Sequence, residues 1–182
     1  MTTMPGIPLL PEGQLPLASG SWRVDPDRSH ASFAARGAGL CVRGRLPLTG
    51  QVLIVEPIEN STVRLAARTT AVSTGSPWLD RLLAGPAFLD AEAFPEIGFR
   101  SELLAWVPAG WRAVGRLQVK GTEHELACRF DLRLDDPRPG CPARLKVGGT
   151  LVVDSRWITR QWIPALDRRI EMTCSLSLEP DV

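Results

Sequence analysis

The sequence predicts an all-β fold: a single antiparallel β-barrel of about eight strands with one short helix capping an end. Three observations carry that expectation. Apolar and polar residues alternate at period two through most of the chain, the signature of strands with one buried face. Turn-forming clusters separate these runs at strand-like spacing. Gly and Pro, at 16 each in 182 residues, make up about 18% of the chain against a usual value near 12%, which points to many turns and away from long helices. About eight antiparallel strands on one chain close into a barrel rather than leave long exposed edges.

Residues 1–20 form a proline-rich leader, with Pro5, Pro8, Pro11 and Pro16 and no Lys or Arg before Arg23; it is expected to be disordered or loosely extended. Residues 21–180 form the one domain, since a chain of this length is one domain as a prior. The first clear strand region runs from Leu40 to Val55, interrupted at Pro47, which cannot donate to a ladder and so marks a bulge, an edge or a turn. Val63, Leu65 and Ala67 follow. Ser76 to Ala84 reads as a helix with Pro77 early in its first turn, stopped by Gly85-Pro86. Four alternating runs come next: Ile97-Phe99-Ser101-Leu103, Trp111-Ala113-Gly115-Leu117-Val119, Leu126-Cys128-Phe130-Leu132-Leu134, and Leu145-Val147-Gly149-Leu151-Val153. The last, Ile170-Met172-Cys174-Leu176-Leu178, alternates with Glu171, Thr173, Ser175, Ser177 and Glu179. Turns fall at Pro108-Ala109-Gly110, Lys120-Gly121-Thr122 and Asp135 to Gly140.

The charge balance, 21 Lys+Arg against 20 Asp+Glu, argues against duplex DNA or another strongly electrostatic partner. No run of about 18 apolar residues encodes a membrane-spanning helix. The leader lacks the positive region and apolar core of a secretory signal, so a cytoplasmic location is expected. Cys41, Cys128, Cys141 and Cys174 show no CxxC or zinc spacing; Cys128 and Cys174 lie on apolar phases and read as small buried hydrophobes. His124-Glu125-Leu126-Ala127-Cys128 lacks the second histidine of a helical zinc motif, and no metal site is expected. No Gly-x-Ser-x-Gly elbow is present. Ser29 and His30, adjacent on an extended chain, face opposite ways and cannot serve as nucleophile and base. No catalytic residue is assigned. Trp22 reads as a barrel plug. Trp106, Trp157 and Trp162 are candidates for a cavity mouth, with plain rim packing as the alternative. Arg156, Arg160, Arg168 and Arg169 make the late region basic, suited either to an anionic lipid headgroup or simply to solvent.

Trp22-Arg23-Val24-Asp25-Pro26-Asp27-Arg28-Ser29-His30-Ala31-Ser32-Phe33 resembles the opening motif of the YceI-like family. The resemblance continues in order through Val42-Arg43-Gly44-Arg45-Leu46, Gly50-Gln51-Val52, Ser73-Thr74-Gly75, Leu79-Asp80 and Phe88-Leu89-Asp90. Phe94-Pro95-Glu96-Ile97-Gly98-Phe99-Arg100-Ser101 is its most specific element, and Gly115 to Thr122 is similar to the family's Gly-x-Leu-x-x-x-Gly-x-Thr hairpin. It spans about Ser21 to Leu178. Two departures stand out. Arg28 and Gly37 occupy positions where many members have histidine. The late strand reads Asp154-Ser155-Arg156-Trp157 rather than Asp-Arg followed by an aromatic-Gly pair.

The resemblance implies a lipocalin-like extended barrel that binds a long isoprenoid chain in its lumen, without catalysis or a catalytic cofactor. The expected ligand is a long-chain apolar lipid of polyisoprenoid or isoprenoid-quinone type. Its tail contacts would be the inward apolar phase: Phe33, Leu65, Phe88, Phe99, Leu117, Phe130, Leu151 and Met172. The same positions would form a solid core in the alternative reading, a filled barrel serving as a protein-interaction module; an esterase or isomerase using His124 is a third. Eight strands enclose an interior just wide enough for either side chains or one small ligand, and alternation alone does not distinguish the two. No nucleic acid and no stable membrane insertion are expected, and a homodimer is left open.

Overall fold

The computed structural model describes residues 19–37, 39–107, 110–134, 144–159 and 166–181. Most of the leader, the turn at 135–140, Cys141, Arg160 and Trp162 lie outside the described residues. Among the described residues ten strands run in chain order: β1 (Gly20–Val24), β2 (His30–Gly37), β3 (Leu40–Pro47), β4 (Thr49–Ile54), β5 (Thr62–Arg68), β6 (Glu96–Val107), β7 (Gly110–Val119), β8 (Thr122–Leu134), β9 (Leu145–Asp154) and β10 (Arg169–Pro180). The one α-helix among the described residues, α1 (Pro77–Ala84), lies between β5 and β6. Pairing is antiparallel throughout, in the order β1-β4-β5-β6-β7-β8-β9-β10, and β10 returns to β1 to close an eight-stranded barrel.

The β2–β3 hairpin extends this ring. β1 pairs with residues 178–180 of β10 and β2 with residues 171–175, so β1 and β2 are two halves of one long strand broken at Asp25–Ser29. The break is organised by polar atoms. The Asp27 N–H donates to Asp25 Oδ1 at 3.0 Å. The Ser29 hydroxyl, 2% exposed, accepts the Ser177 N–H at 2.9 Å where the β10 ladder would otherwise lose a partner. Pro47 ends β3, and the next N–H, that of Leu48, is donated to the Ser29 carbonyl at 3.0 Å.

Every alternating run of the sequence is a strand, with one shift of phase. Between Ser101 and Leu103 the β6–β7 register slips by a residue. A bulge turns the following side chains over, so Leu103 faces outward at 43% exposure and Leu104 is buried. The expectation that Leu103 continues the inward phase is therefore corrected. Gly115 lies opposite the bulge, where a Cβ would come within 2.1 Å of the Arg100 carbonyl oxygen. The buried Ser101 hydroxyl accepts the Val63 N–H at 2.8 Å, replacing a ladder bond.

The β7–β8 hairpin turns on two residues, Lys120 (φ 49°) and Gly121 (φ 73°), the left-handed pair that matches strand twist. At α1, Pro77 takes the first position as expected, while Ser76 makes no side-chain cap. Asp80 instead accepts from the Thr74 N–H (2.7 Å) and hydroxyl (2.6 Å), fixing the helix to the chain that precedes it.

Candidate functional site: the barrel lumen

The inward phases of β2 to β10, with α1 and the segments flanking β6 and β10, enclose a cavity of about 250 Å³. Two buried clusters wall it. One gathers Trp22, Val24, Leu46, Val52, Leu145 and Leu178 from β1, β3, β4, β9 and β10. The other comprises Leu117, Val119, Leu126 and Val153, and Ile97, Ile158 and Met172 touch both. Trp22 is a packed member of the first cluster and does not itself line the cavity.

Phe33, Leu65, Phe88, Phe99, Leu117, Phe130, Leu151 and Met172 all line the cavity. Strand phase brings seven of them there: Phe99 lies opposite both Leu65 and Leu117, and Met172 opposite both Leu151 and Phe33; Phe88 comes from the turn between α1 and β6. Further lining residues escaped sequence reasoning. Leu104 was hidden by the bulge. Leu83 of α1, Ile158 and Leu166 come from outside the strands, where period two gives no signal. Among the described residues no charged side chain lines the lumen, and Ser155 and Thr159 supply its only hydroxyls. Both lie just beyond β9, so the lumen has one faintly polar end. A barrel filled throughout by side chains would leave no such space.

Of the three candidate mouth tryptophans, the two described ones, Trp106 and Trp157, do not meet. Trp106 pairs with Trp111 near the start of β7, rings 5.3 Å apart and edge-on. Trp157 stacks on His124 at 4.3 Å, and His124 pairs with Leu117, six residues further along β7. At a strand rise near 3.3 Å those points are about 20 Å apart, so Trp106 and Trp157 mark opposite ends, and neither lines the cavity. Trp162 lies outside the described residues. Trp111 does line it, stacked on Phe130.

Cys128 and Cys174 also face the lumen. Burial, with Cys128 close by, pushes the Cys174 thiol up to about 12. Burial raises Cys128 too, with a backbone hydrogen bond to Ala113 offsetting part of it. Both stay neutral thiols at physiological pH and behave as small apolar groups. His124 is covered by an indole face; among the described residues no group of three His, Cys, Asp or Glu could hold a metal. The two positions where many family members have histidine, Arg28 and Gly37, also leave the lumen apolar. Arg28 faces solvent beside Asp25. At Gly37 a Cβ would sit 3.0 Å from the Leu166 Cα, so the glycine lets the apolar Leu166 close against β2. The Asp167 N–H then donates to the Arg36 carbonyl at 2.8 Å.

At the end where Ser155 and Thr159 lie, Lys120 ties two segments together. Its ammonium donates to the Phe88 carbonyl at 2.7 Å and to that of Ile158 at 3.4 Å. Nearby Arg156 binds Asp154 through both carboxylate oxygens. That contact holds the Asp154 carboxyl down to about 2, chiefly through the Arg156 side-chain hydrogen bond.

The fold is a closed up-and-down barrel of lipocalin-like architecture around an apolar lumen. The chain belongs to the YceI-like domain family, whose model matches residues 22–169. Its fold is similar to the crystal structure of Burkholderia cenocepacia BcnA (TM-score 0.69, 15% identity, covering 85% of this chain and 98% of that one). It is also similar to a polyisoprenoid binding domain from Saccharophagus degradans implicated in plant cell wall breakdown (TM-score 0.60, 12% identity, 87% and 98% covered). No match was found among curated protein sequences.

Proposed function

We propose that the protein is a non-enzymatic carrier of a long apolar lipid, of polyisoprenoid or isoprenoid-quinone type, held in the barrel lumen. One observation carries the reading: the lumen is a cavity walled by carbon, with no charged group among the described residues that line it. Such a site offers burial and shape but almost no polar recognition. Membership of the YceI-like family, and the polyisoprenoid-binding domain among its structural neighbours, support the same ligand class. The headgroup lies toward Ser155, Thr159 and Lys120, and the tail toward Trp111 and Phe130.

Magnitudes set the chain length. An apolar cavity of about 150 Å³ holds benzene, or about 25 Å³ per carbon. On that scale 250 Å³ takes about ten carbons, or two isoprene units, without rearrangement. Each further unit buries five carbons, worth about 4 kcal/mol, whereas turning a packed side chain aside costs about 1–3 kcal/mol. Extension is therefore favourable as long as rings such as Phe33 and Phe88 can move.

Native mass spectrometry of protein purified without detergent, followed by organic extraction, tests the proposal. A stoichiometric adduct that extracts as a polyisoprenoid or quinone is the expected result. An adduct-free mass that persists after incubation with isoprenoid-loaded vesicles would overturn it.

A further inference from the structure

The helix that closes the lumen is apolar on both sides. Its inner side presents Leu83, which lines the cavity, and Ala84 packs into the same core. Its outer side carries Trp78, 68% exposed, and Leu82, 39% exposed, four residues apart and therefore on one face. Burial by the barrel does not explain a tryptophan exposed to that degree. The charges on α1 are sorted in the same sense. Its one carboxylate, Asp80, is turned inward onto the Thr74 hydroxyl and N–H. Its one cation, Arg81, is exposed beside Trp78 and Leu82. At the same end of the barrel the β2–β3 tip carries Leu40, the most exposed large hydrophobic residue described, at 70%.

We propose that α1 and the β2–β3 tip dock this end of the barrel onto the surface of a bilayer containing anionic phospholipid. An indole and an aliphatic chain beside an outward cation, with the acid withdrawn, suit the headgroup boundary. Indole rings favour that depth, and binding there sums buried apolar area with attraction to anionic lipid. The outward cation beside the apolar pair favours an anionic surface over a neutral one. The docked helix places the lumen against the bilayer, so an insoluble chain passes between the two without crossing water. This exchange step rests on the lipid-carrier reading; the docking does not.

The test is co-flotation of the full chain with vesicles of phosphatidylcholine alone and of phosphatidylcholine mixed with phosphatidylglycerol, at low and high salt. The protein is expected to float with the mixed vesicles, and less so at high salt. The double variant Trp78→Ser with Leu82→Ser loses about tenfold in partitioning. Arg81→Glu weakens binding to the mixed vesicles alone. Because these side chains are exposed, circular dichroism should match the parent. Wild-type protein that fails to float, or a double variant that floats as well as the parent, overturns the proposal. So does a homodimer in the ultracentrifuge that the double variant abolishes, since the face then belongs to a second copy. The lipid bound to the same preparations, read by native mass, separates the two claims. Lipid without flotation removes only the docking, and flotation without lipid removes only the carrier reading.

Discussion

Gly148 and Gly149 are neighbours on β9 that face opposite sides of the barrel wall, which allows the lumen to be filled from one and left untouched from the other. Gly149 lines the cavity between Phe130 on β8 and Cys174 on β10. A Cβ there would meet the Arg129 carbonyl oxygen at 3.2 Å and the Phe130 Cβ at 3.5 Å, a tight fit that a few tenths of an ångström relieve. Gly148 has no atom within 4 Å of an added Cβ. Gly149→Leu places four carbons in the lumen, about 100 Å³ at benzene packing, and leaves room for about six of the original ten. A ten-carbon isoprenoid alcohol such as geraniol then loses the burial of about four carbons, near 3 kcal/mol or two-hundredfold in Kd. Titration calorimetry on delipidated protein reads this directly. Gly148→Leu should bind geraniol as the parent does. Equal affinity in both variants, or equal loss in both, would refute the lumen as the site.

Three further outcomes follow from individual contacts. Ser101→Ala orphans the Val63 N–H at the β6 bulge and should cost about 1–3 kcal/mol in urea unfolding; an unchanged midpoint would mean that the backbone re-pairs without the hydroxyl. Lys120→Ala removes the ammonium held by the Phe88 and Ile158 carbonyls, worth about 1.5–3 kcal/mol for charge-assisted bonds. Faster amide exchange should then appear in residues 85–94, and an unaltered exchange map would contradict the role as a tie. For Cys174 the folded value near 12 exceeds the ordinary 9.0, so above pH 9 the unfolded chain releases a proton that the folded chain retains. Its contribution to stability is complete below pH 9 and is lost as pH rises toward 12. Thermal unfolding across that window should fall more steeply for the parent than for Cys174→Ala; parallel slopes would contradict the burial of this thiol.

Period-two alternation carried most of the fold. The five inward residues of β10 and the row Leu145 to Val153 were legible because an antiparallel barrel has one dry face, and each strand must turn its apolar residues toward it. The same phase brought seven of the eight expected tail contacts to the lumen wall, and Phe88 reached it from the turn after α1. The Glu102 bulge was not legible, because one extra residue preserves composition and shifts only the residues beyond it; Leu103 and Leu104 look alike in sequence and end on opposite faces. Trp106 and Trp157 were misgrouped for a related reason. Phase tells which face a side chain takes, whereas the end of the barrel it reaches depends on pairing register. Ser29 showed only as a turn residue, since its bond to Ser177 joins positions 148 residues apart. Whether the barrel was open or solid turned on packing among side chains from nine strands, which no local pattern encodes.

The central claim, an apolar chain inside the barrel, is tested most directly by crystals of delipidated protein grown with 10-bromodecan-1-ol and measured at the bromine edge. The account predicts one anomalous peak inside the lumen, within reach of Trp111 and Phe130, with the hydroxyl end toward Ser155 and Thr159. Bromine only on the outer wall, or no ordered bromine in protein shown by mass to bind the alcohol, would contradict it.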